Sequence, residues 1–305
     1  YLVTGSWERT PRLGAFLAKR ALRIFPGLIA CVLATILVIG PLATSLPLRW
    51  YVLNKLTVKY LANVALYLQL WLPGVFQGQQ WNSAVNPMLW TLVPGLLCFL
   101  AVPALARLPR RSRSWVLLTV AVLCAGAALF LPEGYEQRLP AHLAHILGRD
   151  VLIEVPFFLV GALLRWLDER VRGRSGALWR ADLAMLFFAA NWIAATWIEG
   201  WDIIVEWVTL PYMAACFGRL SAPLLGEMGR LGNPSYGLYL YAFPIQQLIV
   251  ARMPGNPHPI LTCAALTVPV AFLSWHLVER PALRWAEPGG VLRRWVRRAS
   301  PRAAL

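Results

Sequence analysis

Apolar residues along this chain come in blocks of about 15 to 25, close to the length of helix that crosses the hydrocarbon of a bilayer. Short polar segments separate the blocks. The pattern therefore predicts about eight membrane-spanning helices, several of them short enough to indicate tilt or partial burial within the protein. The predicted spans are Leu22–Ser45, Met88–Leu105, Ser114–Leu131, Val151–Leu167, Leu183–Ile198, Ile203–Phe217, Tyr236–Ala251 and Ile260–Val278.

The segment between the first two predicted spans has a different pattern. Its apolar run Tyr60–Leu72 is too short to cross a bilayer and is interrupted by polar residues, so it predicts an interfacial or re-entrant helix. Since every predicted element is helical, the fold class is an all-α, polytopic transmembrane bundle. Residues 1–285 make up this domain, and residues 286–305 form a basic tail.

Composition and charge agree with a membrane protein. Hydrophobic residues make up 58% of the chain and charged residues 14%, whereas soluble domains carry about 25% charged residues. The net charge of +15 would raise nucleic acid as a partner of a soluble protein. With a cytoplasmic N-terminus, however, 23 of the 29 lysines and arginines fall in cytoplasmic segments. This positive-inside bias explains the charge without nucleic acid and predicts that both ends are cytoplasmic.

The cysteines and histidines do not predict a metal centre. The five cysteines lie inside apolar blocks and show no CxxC or Cys/His spacing, so they are expected to pack as small hydrophobic residues. His142 and His145 stand three residues apart in an outer loop, but two histidines alone are a weak sign of a metal site. A solvated loop is the favoured interpretation.

Basic residues cluster where the first span meets the predicted cytoplasmic surface. In Phe16–Pro26, the cations are Lys19, Arg20 and Arg23, and the first and last of these share a helix face. Such residues anchor a span by extending their charges to the interface. They also suit an electropositive mouth for a phosphorylated donor. Both interpretations stay open.

The second segment with candidate chemistry, Trp81–Leu92, lies at the outer entrance of the second span. Its Asn86-Pro87 pair predicts a turn and a helix start. The indoles of Trp81 and Trp90 suit an aromatic belt at the membrane surface. Anchoring by these aromatic residues is the simpler interpretation of the segment.

The third segment, Leu231–Gln247, begins with chain-breaking residues and continues into a predicted span. Ser235 is placed to cap the helix that follows. Aromatic residues then recur at helical spacing, which indicates either a packing stripe or a pocket wall. Two adjacent glutamines are harder to explain by packing, because polar groups within a span are costly unless paired or facing water. The candidate polar residues are Ser235, Tyr236, Tyr239, Gln246 and Gln247.

The fourth segment, Ser274–Trp285, carries His276, Glu279 and Arg280 near the inner end of the last span. A Glu279–Arg280 pair is one structural interpretation. Elsewhere, Glu154 and Glu206 lie within predicted spans, where carboxylates are either functional or paired with a neighbouring helix.

The four segments, in this order, resemble acyltransferase family 3, a family of bacterial integral membrane acyltransferases. Arg20–Pro26 is similar to the family's R-x-x-R-I-x-P, and Val85–Leu92 is similar to its V-N-x-x-L-W-T-L. Leu231–Pro244 is similar to L-G-x-x-S-Y-x-x-Y-L-x-x-F-P, and the triplet that starts at Glu279 matches E-R-P. The resemblance extends over the whole chain, with unmatched stretches between the motifs.

The resemblance implies a bacterial inner-membrane enzyme that transfers an acyl group from cytoplasmic acyl-CoA to a hydroxyl. The acyl group is expected to be acetyl. The acceptor would be a carbohydrate, a lipid-linked sugar or another envelope or exported molecule. Acyl-CoA would be a co-substrate, with no bound cofactor and no metal. The implied donor-binding residues are Lys19, Arg20 and Arg23. The implied motif and acceptor-pocket residues are Asn86, Trp90, Thr91, Ser235, Tyr236, Tyr239, Gln246, Gln247, Glu279 and Arg280.

The chain departs from the family pattern at two places. Family members have ten helices and a catalytic candidate His in the first, whereas Tyr1–Gly5 resembles the end of the family's second helix. The position that often holds Glu after W-T-L is Gly95 here. We therefore expect that the first two helices have been lost and that these residues alone do not catalyse acyl transfer. A base within the chain would have to be Glu154 or Glu206.

Two other functions stay open on sequence grounds. A catalytically degenerate family member with a structural or export role fits the missing His. A small-molecule transporter would use polar residues within spans to line a path, although the two halves show no internal repeat.

The topology can be tested with reporter fusions. Because the basic residues segregate to one side, fusions after Arg113 and after Arg174 should report the cytoplasm. A fusion within Glu133–Arg149 should report the outside. The opposite result at two of the three positions would overturn this topology.

Overall fold

The computed structural model describes residues 1–79, 83–132, 134–139, 147–171, 178–197, 202–219 and 231–285. Within these ranges the regular structure is helical and contains no strand, which confirms the all-α fold class. Each of the eight predicted spans coincides with a helix. The predicted basic tail, 286–305, lies outside the described residues.

The helices are, in chain order, α1 (Leu2–Arg9), α2 (Leu13–Ala43), α3 (Leu48–Leu53), α4 (Lys55–Lys59), α5 (Leu92–Ala106), α6 (Arg110–Phe130), α7 (Arg149–Arg170), α8 (Ala181–Trp197), α9 (Asp202–Phe217), α10 (Ser235–Arg252) and α11 (Pro259–Arg284). Short 3₁₀ helices cover Tyr60–Ala65, Pro87–Thr91 and Tyr135–Arg138. Among the described residues, four helices are long and apolar enough to cross a membrane: α2, α6, α11 and the continuous helix Pro87–Ala106. The other predicted spans, α7 to α10, are shorter or carry more polar residues.

The segment Tyr60–Leu72 is less helical than its sequence predicts. Its 3₁₀ helix ends at Ala65, and Leu66 adopts a left-handed conformation with φ of 60°. The reason is Asn63, whose buried amide donates to the carbonyl of Gln69 at 3.0 Å and accepts from the Gln69 N–H at 2.9 Å. These bonds pair the backbone N–H and carbonyl of Gln69, which would otherwise need a helical partner.

The chain divides into two compact units. The first consists of Tyr1–Arg12 and Val93–Ala222, and within it α7 packs against both α6 and α9, while α8 packs against α9. At one end of this unit, Asp168 accepts hydrogen bonds from Tyr1, Trp179 and Arg219 at 2.7, 2.8 and 3.0 Å. This carboxylate therefore joins α1, α7 and the residues that flank α8 and α9.

The second unit consists of Leu13–Leu92 and Pro223–Leu305. In this unit α10 packs against α2 and α11, and the chain that follows α2 packs on the same core. Two of its helices contain a π-turn, at Thr35–Ile39 in α2 and at Trp275–Glu279 in α11. Such turns insert a residue and change which face the following side chains occupy, and they are frequent at functional sites.

Helices α10 and α11 of the second unit approach closely at Gly237. A Cβ added to Gly237 in α10 would lie 2.9 Å from both Cα and the carbonyl oxygen of Ala271 in α11. Small residues at such crossings allow two membrane helices to pack backbone against backbone. The absence of a side chain at Gly237 is therefore a requirement of this contact.

Replacing Gly237 with alanine should lower the thermal unfolding midpoint of the detergent-purified protein, since overpacking a helix contact costs about 1–3 kcal/mol. The matched control is Gly95→Ala in α5, where an added Cβ would meet no atom within 4 Å. Alanine there should raise the midpoint slightly, because glycine in a helix costs roughly 0.5–1 kcal/mol. Equal effects of the two substitutions would contradict the close α10–α11 contact.

Candidate active site

An ion pair joins the first and fourth motif segments within the second unit. Arg23 in α2 places Nη1 3.8 Å from Oε2 of Glu279, whose side chain is only 1% exposed. Ser274 donates a hydrogen bond of 3.1 Å to the other oxygen of Glu279. The guanidinium of Arg23 also lies over the indole of Trp275, 5.5 Å from its centroid. Arg23 is thus held on two sides, while 26% of its side chain stays exposed.

The pairing of Glu279 differs from the interpretation based on sequence. Arg280, its neighbour in the chain, is exposed and forms no ion pair with the residues that the structure describes. The π-turn that ends at Glu279 explains the difference, because its extra residue directs the carboxylate inward and leaves the next side chain outside. Glu279 is therefore the buried partner of Arg23.

The first and third segments also meet. The hydroxyl of Tyr236 donates to the carbonyl of Ile24 at 2.9 Å. Its ring lies on Gly27, where an added Cβ would come within 2.8 Å of Cε1. The glycine one residue after Pro26 therefore provides the space into which the tyrosine of the third segment packs.

The start of α10 corrects one prediction. Ser235 does not cap this helix with its side chain. Instead, Asn233 Oδ1 accepts from the Ser235 hydroxyl at 2.6 Å and from its backbone N–H at 3.3 Å. Ser235 is the first helical residue and remains exposed.

The second segment packs along α10 as well. The hydroxyls of Tyr239 and Thr91 lie 2.7 Å apart, and Asn86 Nδ2 donates to the carbonyl of Leu240 at 2.9 Å. As predicted, Pro87 starts a helix, which here is a 3₁₀ turn that leads into α5. Trp90 is half-buried in that turn.

The two glutamines of α10 have different environments. Gln247 is buried and donates to the carbonyl of Ala84 at 3.4 Å, so its amide is paired within the second unit. Gln246 is exposed and lines a cavity of about 510 Å³ between α10 and α11, whose wall is otherwise mostly apolar. As expected for a polar group within a span, the Gln247 amide thus has a hydrogen-bond partner in the protein.

The other two predicted donor residues, Lys19 and Arg20, are half-buried in α2, the helix that carries Arg23. The guanidinium of Arg20 lies 5.7 Å from the centroid of Phe16. Three cations within five residues of one helix therefore belong to the second unit, where the four motif segments meet.

The carboxylates predicted as catalytic candidates lie in the first unit. Glu154 is exposed on α7, and Glu206 is half-buried on α9. Neither is among the contacts that join the four motif segments. Trp81, His142 and His145 lie outside the described residues.

His276 has a geometry that its sequence position did not indicate. Its Nε2 lies 3.0 Å from the carbonyl oxygen of Leu231. Because a carbonyl oxygen only accepts, Nε2 carries the proton when the ring is neutral, and in that form Nδ1 keeps its lone pair. The contact spans 45 residues of chain and depends on the π-turn, so spacing alone could not predict it.

Comparisons with known proteins identify a family and two relatives that match most of the chain. A family model described as "Acyltransferase domain" matches residues 1–278. An O-acetyl transferase of Shigella phage Sf6 is 24% identical over 316 residues, which cover 94% of this chain and 83% of the relative. Nodulation protein 10 of Rhizobium leguminosarum bv. viciae is 27% identical over 300 residues, covering 93% and 79%. No solved structure was found to match.

Proposed function

We propose, because this chain belongs to the acyltransferase domain family, that it transfers an acyl group from acyl-CoA to a hydroxyl. The acyl group in this proposal is acetyl. The acceptor in this proposal is a carbohydrate or another envelope or exported molecule. The name of the phage relative, an O-acetyl transferase, supports transfer to oxygen. The observation that carries the proposal is the meeting of the motif segments around Arg23, Tyr236, Tyr239 and Glu279. Family membership favours a transferase over a transporter.

The donor end of the proposed site is the cationic turn of α2. Lys19, Arg20 and Arg23 would bind the phosphates of acyl-CoA, since guanidinium groups pair with phosphate oxygens through two parallel hydrogen bonds. Glu279 supports this role for Arg23: its buried carboxylate and the Trp275 ring both contact the guanidinium, while 26% of the Arg23 side chain stays exposed. In a bacterial inner membrane with the N-terminus of the chain in the cytoplasm, the donor end of the site would lie at the cytoplasmic surface. It would meet acyl-CoA there.

The acceptor end would lie where the second and third segments meet. The hydroxyls of Tyr236 and Tyr239 already bond protein groups, and their rings stack at 6.2 Å, so these two residues hold the segments together. The contacts to an acceptor would come from the less buried polar groups nearby. In this proposal these are Trp90, Thr91, Ser235 and Gln246.

Acyl transfer to a hydroxyl needs a base that takes the hydroxyl proton, which typically contributes about 10²–10⁴-fold. Within the second unit, His276 meets the chemical requirement, because its bond to Leu231 leaves Nδ1 able to accept a proton. Glu154 and Glu206 remain candidates from the first unit. A histidine in a preceding segment of a longer form is the fourth possibility that the family resemblance raises.

Loss of the Arg23 guanidinium should weaken donor binding. For Arg23→Ala we expect the KM for acetyl-CoA to rise about 10- to 100-fold, the equivalent of one charge-assisted hydrogen-bonded pair. Membranes that contain an N-terminally extended form of the protein would be assayed for transfer of labelled acetyl to envelope material. Arg284→Ala, which removes an exposed arginine of the same unit, is the matched control and should leave KM within about 2-fold. An unchanged KM in Arg23→Ala would limit Arg23 to membrane anchoring.

A second set of variants identifies the base. His276→Gln, Glu154→Gln and Glu206→Gln should be compared in the same assay, both in this chain and in a form extended at its N-terminus. We expect kcat to fall about 10²-fold or more in the variant that lacks the base, with little change in the KM for acetyl-CoA. If only the extended form is active and no variant affects it, the base lies in the added segment. Inactivity of both forms would favour a degenerate family member.

A further inference from the structure

Pro244 interrupts the hydrogen-bond ladder of α10. This proline lies inside the helix, and a proline lacks the N–H that would bond the carbonyl four residues earlier. The carbonyl left without a helical donor is that of Leu240, a residue that is fully buried. An unpaired carbonyl in such a place is costly, so a donor from another segment is needed.

Asn86 supplies that donor. Its Nδ2 lies 2.9 Å from the Leu240 oxygen, and the thiol of Cys31 makes a second, weaker contact at 3.3 Å. Asn86 precedes Pro87 and occupies the N-cap position of the 3₁₀ helix, yet its side chain forms no capping bond. Its fully buried amide is therefore committed to α10 rather than to the helix that it precedes.

The Asn86–Leu240 bond is one of three contacts along which the second segment runs antiparallel to α10. Ala84 bonds Gln247 at 3.4 Å, Asn86 bonds Leu240, and Thr91 meets Tyr239. Leu240 and Tyr239 are adjacent in the chain. The Asn86–Leu240 bond and the Tyr239–Thr91 contact are therefore neighbours on the same turn of α10.

We infer that Asn86 is a positioning residue that replaces the backbone donor missing at Pro244 and thereby aligns Tyr239 with Thr91. The kinetic part of this inference rests on the proposed acyl transfer, whereas its structural part does not. The proline leaves a carbonyl whose main donor is Asn86 of the second segment, with a weaker contact from the Cys31 thiol, so the second and third segments depend on each other for their position. Neither residue needs to touch a substrate for this role.

The test is a double-mutant cycle between Asn86 and Pro244. Asn86→Ala leaves the Leu240 carbonyl without its main donor, and we expect a lower unfolding midpoint and about a 10-fold or larger loss of kcat, with the KM for acetyl-CoA within about 2-fold. Pro244→Ala restores the N–H within α10. In that background the cost of Asn86→Ala should fall to about 3-fold or less, with a correspondingly smaller change in midpoint.

Two controls make the result specific. Pro269→Ala removes a proline from α11 of the same unit, and in that background Asn86→Ala should keep its full cost. Asn86→Leu has almost the same size but no hydrogen-bond donor, so it should behave like Asn86→Ala. Equal costs in the Pro244→Ala and Pro269→Ala backgrounds, or wild-type behaviour of Asn86→Leu, would overturn the inference.

Folding failure is also informative in this design. If Asn86→Ala alone cannot be purified, recovery with Pro244→Ala but not with Pro269→Ala is the expected result, and recovery with neither would contradict the inference. If neither this chain nor its N-terminally extended form shows acyl transfer, the proposed function fails. The unfolding midpoints of the purified variants would still decide whether Asn86 and Pro244 are coupled.

Discussion

The second unit depends on one constraint: each backbone polar group that leaves the helical ladder inside an apolar core must find a partner elsewhere. Side-chain amides meet this constraint at several described positions, one of which is the bond from Gln247 to the carbonyl of Ala84. Asn63 satisfies the turn at Gln69, and Asn86 satisfies the carbonyl that Pro244 releases. Irregular chain next to α10 is therefore held by specific hydrogen bonds. A hydrophobic contact in the same place would leave the polar backbone unpaired.

The same reasoning applies to charge at the Arg23–Glu279 pair. A carboxylate that is 1% exposed is stable only with compensating partners, and here a serine hydroxyl and an arginine supply them. Such a pair adds little net stability compared with apolar packing, but removal of one partner leaves the other buried without compensation. The pair instead orients Arg23: Glu279 and the Trp275 ring contact the guanidinium, while 26% of the side chain remains exposed.

The two units contain polar networks of different character. In the first unit, Asp168 is shared by Tyr1, Trp179 and Arg219, which joins helices and their flanking residues with short, well-formed bonds. In the second unit, the polar contacts join the motif segments themselves, and some groups such as Arg23 and Ser235 keep exposed surface. Exposure does not distinguish the two networks, because the side chain of Arg219 in the first is 38% exposed and that of Arg23 in the second is 26% exposed. The difference is that the second network is built from the motif segments. The second has the properties expected where binding residues must be held yet remain reachable.

Hydrophobic periodicity and motif order predicted the helices and the family, because spans must be apolar over a fixed length and motifs are local in the chain. They also placed Arg23, Asn86, Tyr236 and Glu279 among the candidates. The partners were not predicted: the sequence suggested Arg280 for Glu279 and a capping role for Ser235, while the structure shows Arg23 and Asn233. The contact of Ser235 with Asn233 is local, but Arg23 and Glu279 are more than 200 residues apart. Pairing over such a separation depends on the crossing of helices, which local spacing does not encode. Only the tertiary structure therefore decided which groups meet.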